Sequence, residues 1–583
     1  MITILHTENI VSRTFGWVQN PSDFRKLCNV VAVFDYNSEK HKQLQETILP
    51  KLVSENDGLF DLISALNVRP LSISYSHLVG TGKSIRSTAP CNAIIQAVVT
   101  GQGKKQYTDN WTADGFIRWA HCLGFISYNN ANDTFAITKL GLKISKARSV
   151  GVELNIKEQE ILIEAILSYP PAIRVLYLLS EENSHLTKFE IGKQLGFIGE
   201  SGFTSMPQSI LVRTLSTISN NKERNSTKAN WEGSSDKYAR MIASWLIKLG
   251  LVQKTEKIIN VSLATENYTE TIGQAYMITA QGLTALRRAK GASKHNRILK
   301  TICYEMLATK GSDREFLRTR RALIIKTISE SKDSINTNEI IKYLENFEII
   351  TTPDTIYDDI QGFISIGLDI DIIDCNFIWR DKINDFIIPI RKEITQSENE
   401  QIKDELRGNI KHIPHTYLSL VDLAYDGTQS RLFEMITVQL LTEECGFSGL
   451  HLGGSRKPDG IVYTDNFVDN YGIIIDTKAY SGGYSIPISQ ADEMQRYIQE
   501  NQRRDEIENP NKWWENFSDN VRYFYFMFVA GYFTGRYQDQ INRICQITST
   551  KGTAIEVYDL ILFAESIKDG TYSLTDLTDI IFE

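Results

Sequence analysis

Two aspartates near the C-terminus have the residue type and spacing of a metal-dependent hydrolytic site. The stretch that begins at Lys457 reads KPDGIVYTDNFVDNYGIIIDTK, and its two short runs of strand-forming residues flank a polar segment that is only long enough for a hairpin loop. If Thr464 pairs with Tyr471, the antiparallel register places Asp459 directly across from Asp476. Two carboxylates so placed lie roughly 5 Å apart and destabilise the hairpin unless a cation neutralises them.

A lysine completes the set of reactive groups. Lys478 follows Asp476 by two residues, so both side chains project from the same face of a strand. Carboxylate oxygens suit Mg²⁺, and a nearby ammonium can hold or deprotonate the attacking water and balance charge on the phosphorane. The set therefore predicts phosphodiester hydrolysis. Spacing alone leaves another interpretation open, in which Asp459 caps a Pro-Asp-Gly turn and the other two residues end an ordinary strand.

The composition describes a globular protein of several domains. The chain has 583 residues, of which 42% are hydrophobic, enough for three to five domains with real cores. No apolar run approaches the ~20 residues of a membrane span, and the start MITILHTENI does not resemble a signal peptide, so we expect a cytoplasmic protein. The seven cysteines are scattered singly without a CxxC pair, which fits a reducing compartment and argues against zinc.

Charge is unevenly distributed along the chain. The net charge is −8, from 63 Lys and Arg against 71 Asp and Glu. Residues 391–583 carry 18 basic and 30 acidic side chains, a net charge of −12, which leaves 45 and 41 in residues 1–390, a net charge of +4. Because neutralisation of phosphates supplies most non-specific DNA affinity, we expect the C-terminal part to bind DNA poorly unless the N-terminal part delivers it.

A repeat organises the first 390 residues. The segment from Gly115 to Ile126 predicts a helix, a glycine cap at Gly124 and a strand, with a return strand after it. The same pattern recurs from Tyr238 to Val252 and, more weakly, from Ile360 to Ile373. A helix followed by a capped β-wing is typical of winged helix-turn-helix modules, which place a helix in the DNA major groove.

The C-terminal part predicts a different architecture. Residues 391–401 are rich in Glu, Gln and Ser and carry no apolar stripe, as expected of a linker. We predict helices over 417–424 and 431–445, then the hairpin, a helix over 491–502 and a buried strand over 521–530, which implies an α/β sandwich around a mixed sheet. The predicted fold is thus a multidomain chain of N-terminal all-α/α+β winged helix-turn-helix modules (1–150, 151–290 and a docking or structural module at 291–390), a linker (391–401) and an α/β nuclease domain (402–583).

Several longer strings resemble a known family. The segments HLGGSRKPDG, DTKAYSGGY and QADEMQRY, which begin at His451, Asp476 and Gln490, are similar to the cleavage domain of the FokI family of type IIS restriction endonucleases. They match its PD-(D/E)xK pattern with Pro458, Asp459, Asp476 and Lys478. The resemblance extends upstream through RTFGWVQNP, SYPPAIR and NWEGSSDKYARMI, so it covers nearly the whole chain.

The resemblance implies an activity and its partners. It implies a Mg²⁺-dependent enzyme that binds a short asymmetric site in double-stranded DNA, GGATG-like, and hydrolyses both strands at a fixed distance outside it, giving 5′-phosphate ends. Asp459 and Asp476 would hold the metal, and Lys478 would position or activate water. The other expected partners are a second copy of the chain, transiently, on DNA, and a cognate DNA methyltransferase. Two alternatives remain, a repair or structure-specific nuclease and a non-catalytic DNA-binding regulator.

The resemblance also implies contact residues. The implied DNA contacts have side chains suited to reading bases. These contacts are Gln19, Asn20, Arg86, Gln102, Trp111, Asn230, Glu232 and Lys237. Ala229 departs from the family, which would have a polar residue at that position. The helix over 491–502 is implied to join two cleavage domains. On it Asp492 and Arg496 share a face, so each could pair with its opposite across a two-fold axis, or with each other within one helix.

Overall fold

The protein folds into three helical modules with small sheets, followed by a module built on a larger mixed sheet. The structure is a computed structural model, and it describes residues 2–55, 59–80, 91–101, 106–149, 151, 153–182, 184–263, 266–292, 296–391 and 395–582. The predicted fold class, winged-helix modules followed by an α/β nuclease domain, agrees with this arrangement.

The first module carries its wing after a long helix. Its elements in chain order are β1 (Thr3–His6), α1 (Phe24–Ala32), α2 (Glu39–Gln43), α3 (Leu49–Glu55), α4 (Phe60–Asn67), β2 (Ile73–Ser74), α5 (Tyr75–Val79), α6 (Ile94–Val98), α7 (Asn110–Cys122), β3 (Ile126–Asn129), β4 (Thr134–Ile137) and α8 (Lys139–Ala147). The side chain of Thr138 accepts a hydrogen bond from the Gly141 amide and so caps α8.

The second module repeats this plan with a longer wing. Its elements are α9 (Ile156–Ser168), α10 (Pro170–Leu178), β5 (Leu186–Thr187), α11 (Lys188–Gly192), α12 (Gln208–Thr217), α13 (Asn221–Asn230), α14 (Ser234–Lys248), β6 (Val252–Leu263), β7 (Glu266–Ile278) and α15 (Ala280–Ala289). Thr187 and Glu190 form a capping box that starts α11.

The third module is smaller and holds the N-terminal strand. It contains α16 (Arg314–Glu330), β8 (Ile335–Asn336), α17 (Thr337–Glu345), α18 (Pro353–Ser365), β9 (Ile370–Ile373), β10 (Asn376–Trp379) and β11 (Ile387–Ile390). Strand β11 pairs in parallel with β1, so the beginning of the chain is anchored to the end of this module.

The three modules share the predicted sequence of helix, glycine and wing. Gly124, Gly250 and Gly367 follow α7, α14 and α18 with φ angles of +71°, +73° and +101°, a left-handed conformation that glycine adopts without strain. A Cβ on Gly367 would also lie 1.9 Å from the Pro170 carbonyl oxygen. In each module a short strand, β2, β5 or β8, pairs with the returning strand of the wing.

The C-terminal module is a sandwich around a mixed sheet. Its elements are α19 (Glu398–Asn409), α20 (Ser419–Leu423), α21 (Ser430–Gln439), β12 (Ser448–His451), β13 (Gly460–Tyr463), β14 (Tyr471–Lys478), α22 (Ile488–Arg503), β15 (Tyr523–Ala530), α23 (Tyr537–Thr548), β16 (Gly552–Glu556), α24 (Val557–Lys568) and α25 (Leu577–Ile580). The sheet order is β12-β13-β14-β15-β16, antiparallel up to β14 and parallel beyond it.

Alternate residues of each central strand face opposite layers. On β14, Ile473 and Ile475 pack against the helices α21 and α24, whereas Ile474 packs against α22 and α23. The continuous apolar run in this strand is therefore buried on both sides. The predicted helix over 431–445 is present as α21 followed by a π-helical turn, Leu440–Glu444, and α19 begins at Glu398, inside the segment predicted to be a linker.

A buried ionic network joins the third module to the C-terminal module. The Arg320 Nε lies 2.8 Å from Asp359 Oδ2, and the Arg321 Nε lies 2.7 Å from Asp359 Oδ1. Arg320 and Arg407 also approach Glu400 on α19, at 3.4 and 3.3 Å. Burial would raise the pKa of Asp359, but the two arginine charges hold that pKa below its usual value.

Breaking this network should be costly. We expect Arg320→Ala to lower the free energy of unfolding by about 3–5 kcal/mol, because Asp359 and Glu400 would keep their buried charges with one cation fewer beside them. The control is Arg380→Ala, which removes an exposed pair with Asp371 at 2.7 Å and should cost at most about 1 kcal/mol. Urea unfolding followed by circular dichroism measures both, and equal losses would contradict the assignment.

Among the described residues, no single helix is long and apolar enough to cross a membrane. The helices α9 and α10 have the length and composition of a span only when taken together, and they are bent by 86° where they meet.

Candidate active site and DNA-contacting residues

The hairpin of β13 and β14 has the register that the sequence predicts. Gly460 pairs with Ile475 in the antiparallel ladder of β13 and β14, and the Thr464 amide donates to the Tyr471 carbonyl at 2.9 Å. Continuing this register by one residue sets Asp459 opposite Asp476. The charge of Asp476 acts on Asp459 across this pair.

Both carboxylates are held in a low-polarity setting. Thr477 donates to Asp459 Oδ2 from its amide at 2.7 Å and from its hydroxyl at 3.1 Å. Burial raises the pKa of Asp459 well above its usual value, and the charges of Asp476 and Glu434 add to that rise. Burial likewise raises the pKa of Asp476, against the opposing charge of Lys478. Both groups cannot be ionised here at low cost without a cation.

The lysine is placed beside the pair. Lys478 Nζ lies 2.8 Å from Asp476 Oδ1. Burial opposes its charge, but the carboxylates of Asp476 and Asp459 prevail and raise the pKa of Lys478. The side chain is therefore a protonated hydrogen-bond donor at neutral pH.

The donor set fits a divalent metal. Two opposed, buried carboxylates require either a shared proton or a cation, and hard oxygen ligands of this kind suit Mg²⁺. The protein would supply two such ligands. Asp459 and Asp476 are therefore the residues that could hold it.

Four further side chains surround this pair, and sequence reasoning did not single them out. Glu434 on α21 accepts a hydrogen bond from His451 Nε2 at 2.9 Å, and its charge acts on Asp459. Glu493 on α22 acts electrostatically on Asp476 and Lys478. The Tyr484 hydroxyl is buried without a hydrogen-bond partner among the described residues. His451, Tyr484 and Glu493 lie in the strings that resemble the FokI family, whereas Glu434 carried no signal in the sequence.

The first module displays some of the predicted DNA contacts. Gln19 and Asn20 are exposed at the end of the N-terminal arm, and the Gln19 side chain hydrogen-bonds to Tyr238. Trp111 is 44% exposed in the first turn of α7. Arg86 and Gln102 lie outside the described residues.

The three predicted DNA contacts of the second module differ in how exposed they are. Asn230 is exposed at the end of α13, where its side-chain amide donates to the Ser226 hydroxyl at 3.0 Å. Lys237 is half-buried on α14. Glu232, expected to accept from a cytosine amine, is instead buried and paired with Lys188 at 2.6 Å and with Arg240 at 2.8 Å. In this geometry its carboxylate is committed to protein cations, because a buried anion requires such partners.

The helix predicted to join two cleavage domains presents charged side chains. Asp492 and Arg496 on α22 do not pair with each other. Asp492 Oδ1 lies 2.8 Å from Arg543 on α23, and Arg496 lies 3.0 Å from Glu493 and 3.6 Å from Glu500. Among the described residues, Asp492 and Arg496 therefore do not form the intrahelical pair that their spacing allowed.

The second module contacts the strand that precedes the acidic hairpin. Arg213 on α12 donates to the His451 carbonyl at 3.1 Å and to the Asn516 side chain at 2.7 Å. His451 is the residue that bonds Glu434, so the second module touches the strand next to the acidic pair.

Family models match consecutive parts of the chain. They are described as "FokI, recognition domain, subdomain 1" over residues 13–147, "FokI, recognition domain, subdomain 2" over 158–294, "FokI, D3 domain" over 307–374 and "FokI, cleavage domain" over 396–583.

Whole proteins are similar as well. The chain is 48% identical to the type II restriction enzyme FokI of Planomicrobium okeanokoites, covering 97% of each. It is 32% identical to the type II restriction enzyme StsI of Streptococcus sanguinis, over all of this chain and 97% of StsI. The solved structure of FokI superposes with a TM-score of 0.90 at 47% identity, covering 97% of this chain and 98% of that one. FokI bound to DNA superposes with a TM-score of 0.91 at 46% identity, covering 98% of both.

Proposed function

The chain belongs to the FokI family of type II restriction enzymes, and on this premise we propose that it cuts both strands of DNA at a fixed distance outside a short asymmetric site. Family membership makes it a DNA-binding, site-specific deoxyribonuclease with a divalent metal requirement. The finer proposal is a Mg²⁺-dependent cut that leaves 5′-phosphate ends, with GGATG as the first site to try. Residues 1 to about 390 would bind the site, and the remainder would cut.

The observation that carries the proposal is the hairpin of β13 and β14. It brings two acids and a lysine together at one end of two inner strands of the sheet, with the Lys478 ammonium 2.8 Å from Asp476. Burial raises the pKa values of Asp459 and Asp476, and the charge of Asp476 adds to the rise at Asp459, so the pair is an attractive position for a cation. This is the chemistry that hydrolysis of a phosphodiester needs.

Each residue of the hairpin then has a role. Asp459 and Asp476 would hold Mg²⁺, which supplies Lewis-acid polarisation of the scissile phosphate. The sequence left two roles open for Lys478, and its raised pKa favours one of them. A protonated Nζ donates a hydrogen bond that orients the attacking water and offsets the negative charge that develops on phosphorus. Thr477 fixes the orientation of Asp459 through its two hydrogen bonds.

Recognition would come from the exposed residues of the first two modules. Asn20, Gln19, Trp111, Asn230 and Lys237 lie where they are accessible or half-accessible, and Asn and Gln suit adenine edges while Lys suits guanine or phosphate. Glu232 would act indirectly, since it holds Lys188 and Arg240 in place.

Other components of the system are part of the proposal. A double-strand break needs two strands cut, and one acidic hairpin attacks one phosphodiester at a time. We therefore infer a transient dimer of cleavage domains on DNA, through Asp492 and Arg496. A cognate DNA methyltransferase would protect the host site, and the whole system would work in the cytoplasm.

Plasmid cleavage tests the function directly. We expect a supercoiled plasmid with a single GGATG site to be linearised only when Mg²⁺ is present, with both cuts on the same side of the site and 5′-phosphates on the ends. A plasmid that differs by one base pair in the site is the matched control, because each mismatch typically costs about 1–3 kcal/mol of specific binding. Cutting within the site, or equal cutting of both plasmids, would contradict the proposal.

A further inference from the structure

A group of metal-ligating side chains lies far from the cleavage site. Within the described residues, His121, Cys303 and Glu305 offer a ring nitrogen, a thiol sulfur and a carboxylate oxygen that all lie within 4.8 Å of one another. His121 stands in the last turn of α7, and the other two belong to the segment that leads into the third module. The fold thus brings together residues that are distant in sequence.

The imidazole is arranged as a ligand. His121 Nδ1 lies 3.1 Å from the Ile126 carbonyl oxygen, and because a carbonyl only accepts, Nδ1 carries the hydrogen. The lone pair is then on Nε2, a buried atom with no hydrogen-bond partner among the described residues. Metal-binding histidines use this same arrangement, in which one nitrogen donates to a carbonyl and the other binds the ion. Burial lowers the pKa of His121, which keeps the ring neutral.

The other two groups supply negative charge. Burial raises the pKa of Cys303 well above its usual value, and the Glu305 charge adds to the rise. The thiol is therefore protonated unless a cation lies beside it. Glu305 is 5% exposed, and the neighbouring Arg318 donates to its backbone carbonyl at 2.9 Å. One thiolate and one carboxylate would neutralise a divalent ion, so burial of the complete set carries no net charge.

We propose that His121, Cys303 and Glu305 form a second metal site that takes Zn²⁺ or a transition metal of similar preferences. Sulfur, nitrogen and oxygen atoms of this kind are the ligands that zinc prefers in proteins, and a thiolate selects against Mg²⁺, which requires oxygen ligands. The scattered cysteines argued against zinc in the sequence, because no spacing pattern links His121 to Cys303. They come together because α7 packs against the segment that leads into the third module.

The site lies under the N-terminal arm. The Phe15 ring meets the His121 ring edge-on at 5.6 Å, and Trp17 Nε1 donates to the Met306 carbonyl at 2.9 Å. A Cβ on Gly16 would lie 2.2 Å from Met306 Cβ, so the arm is in close contact with the segment that leads into the third module. A metal at this site would link α7 to the segment that contains Cys303 and Glu305. It would thereby hold in place the arm that ends in Gln19 and Asn20. Its role is structural, and it is independent of whether those two residues contact DNA.

Cobalt binding by the full-length protein tests the site. Protein stripped with a chelator is titrated with Co²⁺, whose charge-transfer absorption with a thiolate reports sulfur ligation. The acidic pair of the cleavage site has no sulfur, so its own metal does not contribute to this signal. We expect a single equivalent of Co²⁺ to produce the band and Zn²⁺ to remove it. Cys303→Ser should abolish the band, whereas Cys375→Ser, at an exposed cysteine, should retain it.

Thermal unfolding supplies a second measurement. Zn²⁺ should raise the Tm of the stripped protein, because an ion that binds only the folded state stabilises it. We expect His121→Gln to weaken Zn²⁺ binding at least about tenfold while it leaves the circular dichroism spectrum unchanged. The proposal is overturned if the wild-type protein gives no sulfur-to-cobalt band, or if the band persists in Cys303→Ser.

Discussion

Replacing Asp459 with alanine should abolish cleavage while leaving specific DNA binding intact. The substitution removes one of the two opposed carboxylates, so Asp476 alone would have to hold the cation beside Lys478. We expect the cleavage rate to fall at least about 10³-fold, which corresponds to roughly 4 kcal/mol of transition-state stabilisation. The same loss is expected for Asp476→Ala. Binding should persist because the residues proposed to contact DNA lie in separate modules.

Two measurements separate the outcomes of that experiment. Cleavage of the single-site plasmid gives the rate, and a gel-shift assay with the same site in a short duplex gives the affinity. The matched control is Asp469→Ala, which changes an exposed aspartate in the loop of the same hairpin and should cut at the wild-type rate. Ordinary cleavage by Asp459→Ala would remove this residue from the active site, and a parallel loss of binding would mean that the two functions are not separate.

The hairpin of β13 and β14 could be predicted from local rules, because the contacts that set its register join residues close together in sequence. The register of Asp459 and Asp476 follows from strand propensity and a loop of fixed length, both of which involve neighbours in sequence. The same holds for the glycine caps of the three wings.

Contacts between residues far apart in sequence could not be predicted from the sequence. Glu232 has the right residue type for a base contact, yet a buried lysine and a half-buried arginine take up its carboxylate. Glu434 acts on Asp459 from a helix that precedes it by more than twenty residues, and nothing in its local context distinguishes it from a surface glutamate. Spacing patterns cannot report contacts of this kind, since they depend on how whole elements pack.

The helix α22 has geometry that sharpens the dimer hypothesis. Asp492 and Arg496 are 53% and 42% exposed, and each has a partner within its own chain, Arg543 for the aspartate and the glutamates 493 and 500 for the arginine. Exposed pairs of this kind contribute at most about 1 kcal/mol. They can therefore exchange for contacts across a two-fold axis without a large cost, which is consistent with a weak dimer that forms on DNA.

Charge reversal on this helix should impair double-strand cutting, and mixing the reversed proteins should restore it. Asp492→Arg and Arg496→Asp each place like charges opposite each other in the homodimer, which costs several kcal/mol, so we expect each to slow cutting by about 10²-fold or more. In the mixture an arginine again faces an aspartate. The control is Arg543→Ala, which removes the partner of Asp492 within the chain and should slow cutting less than about fivefold. Wild-type rates in both single variants, together with a velocity strictly first order in enzyme, would mean that one chain cuts both strands and that α22 is only surface.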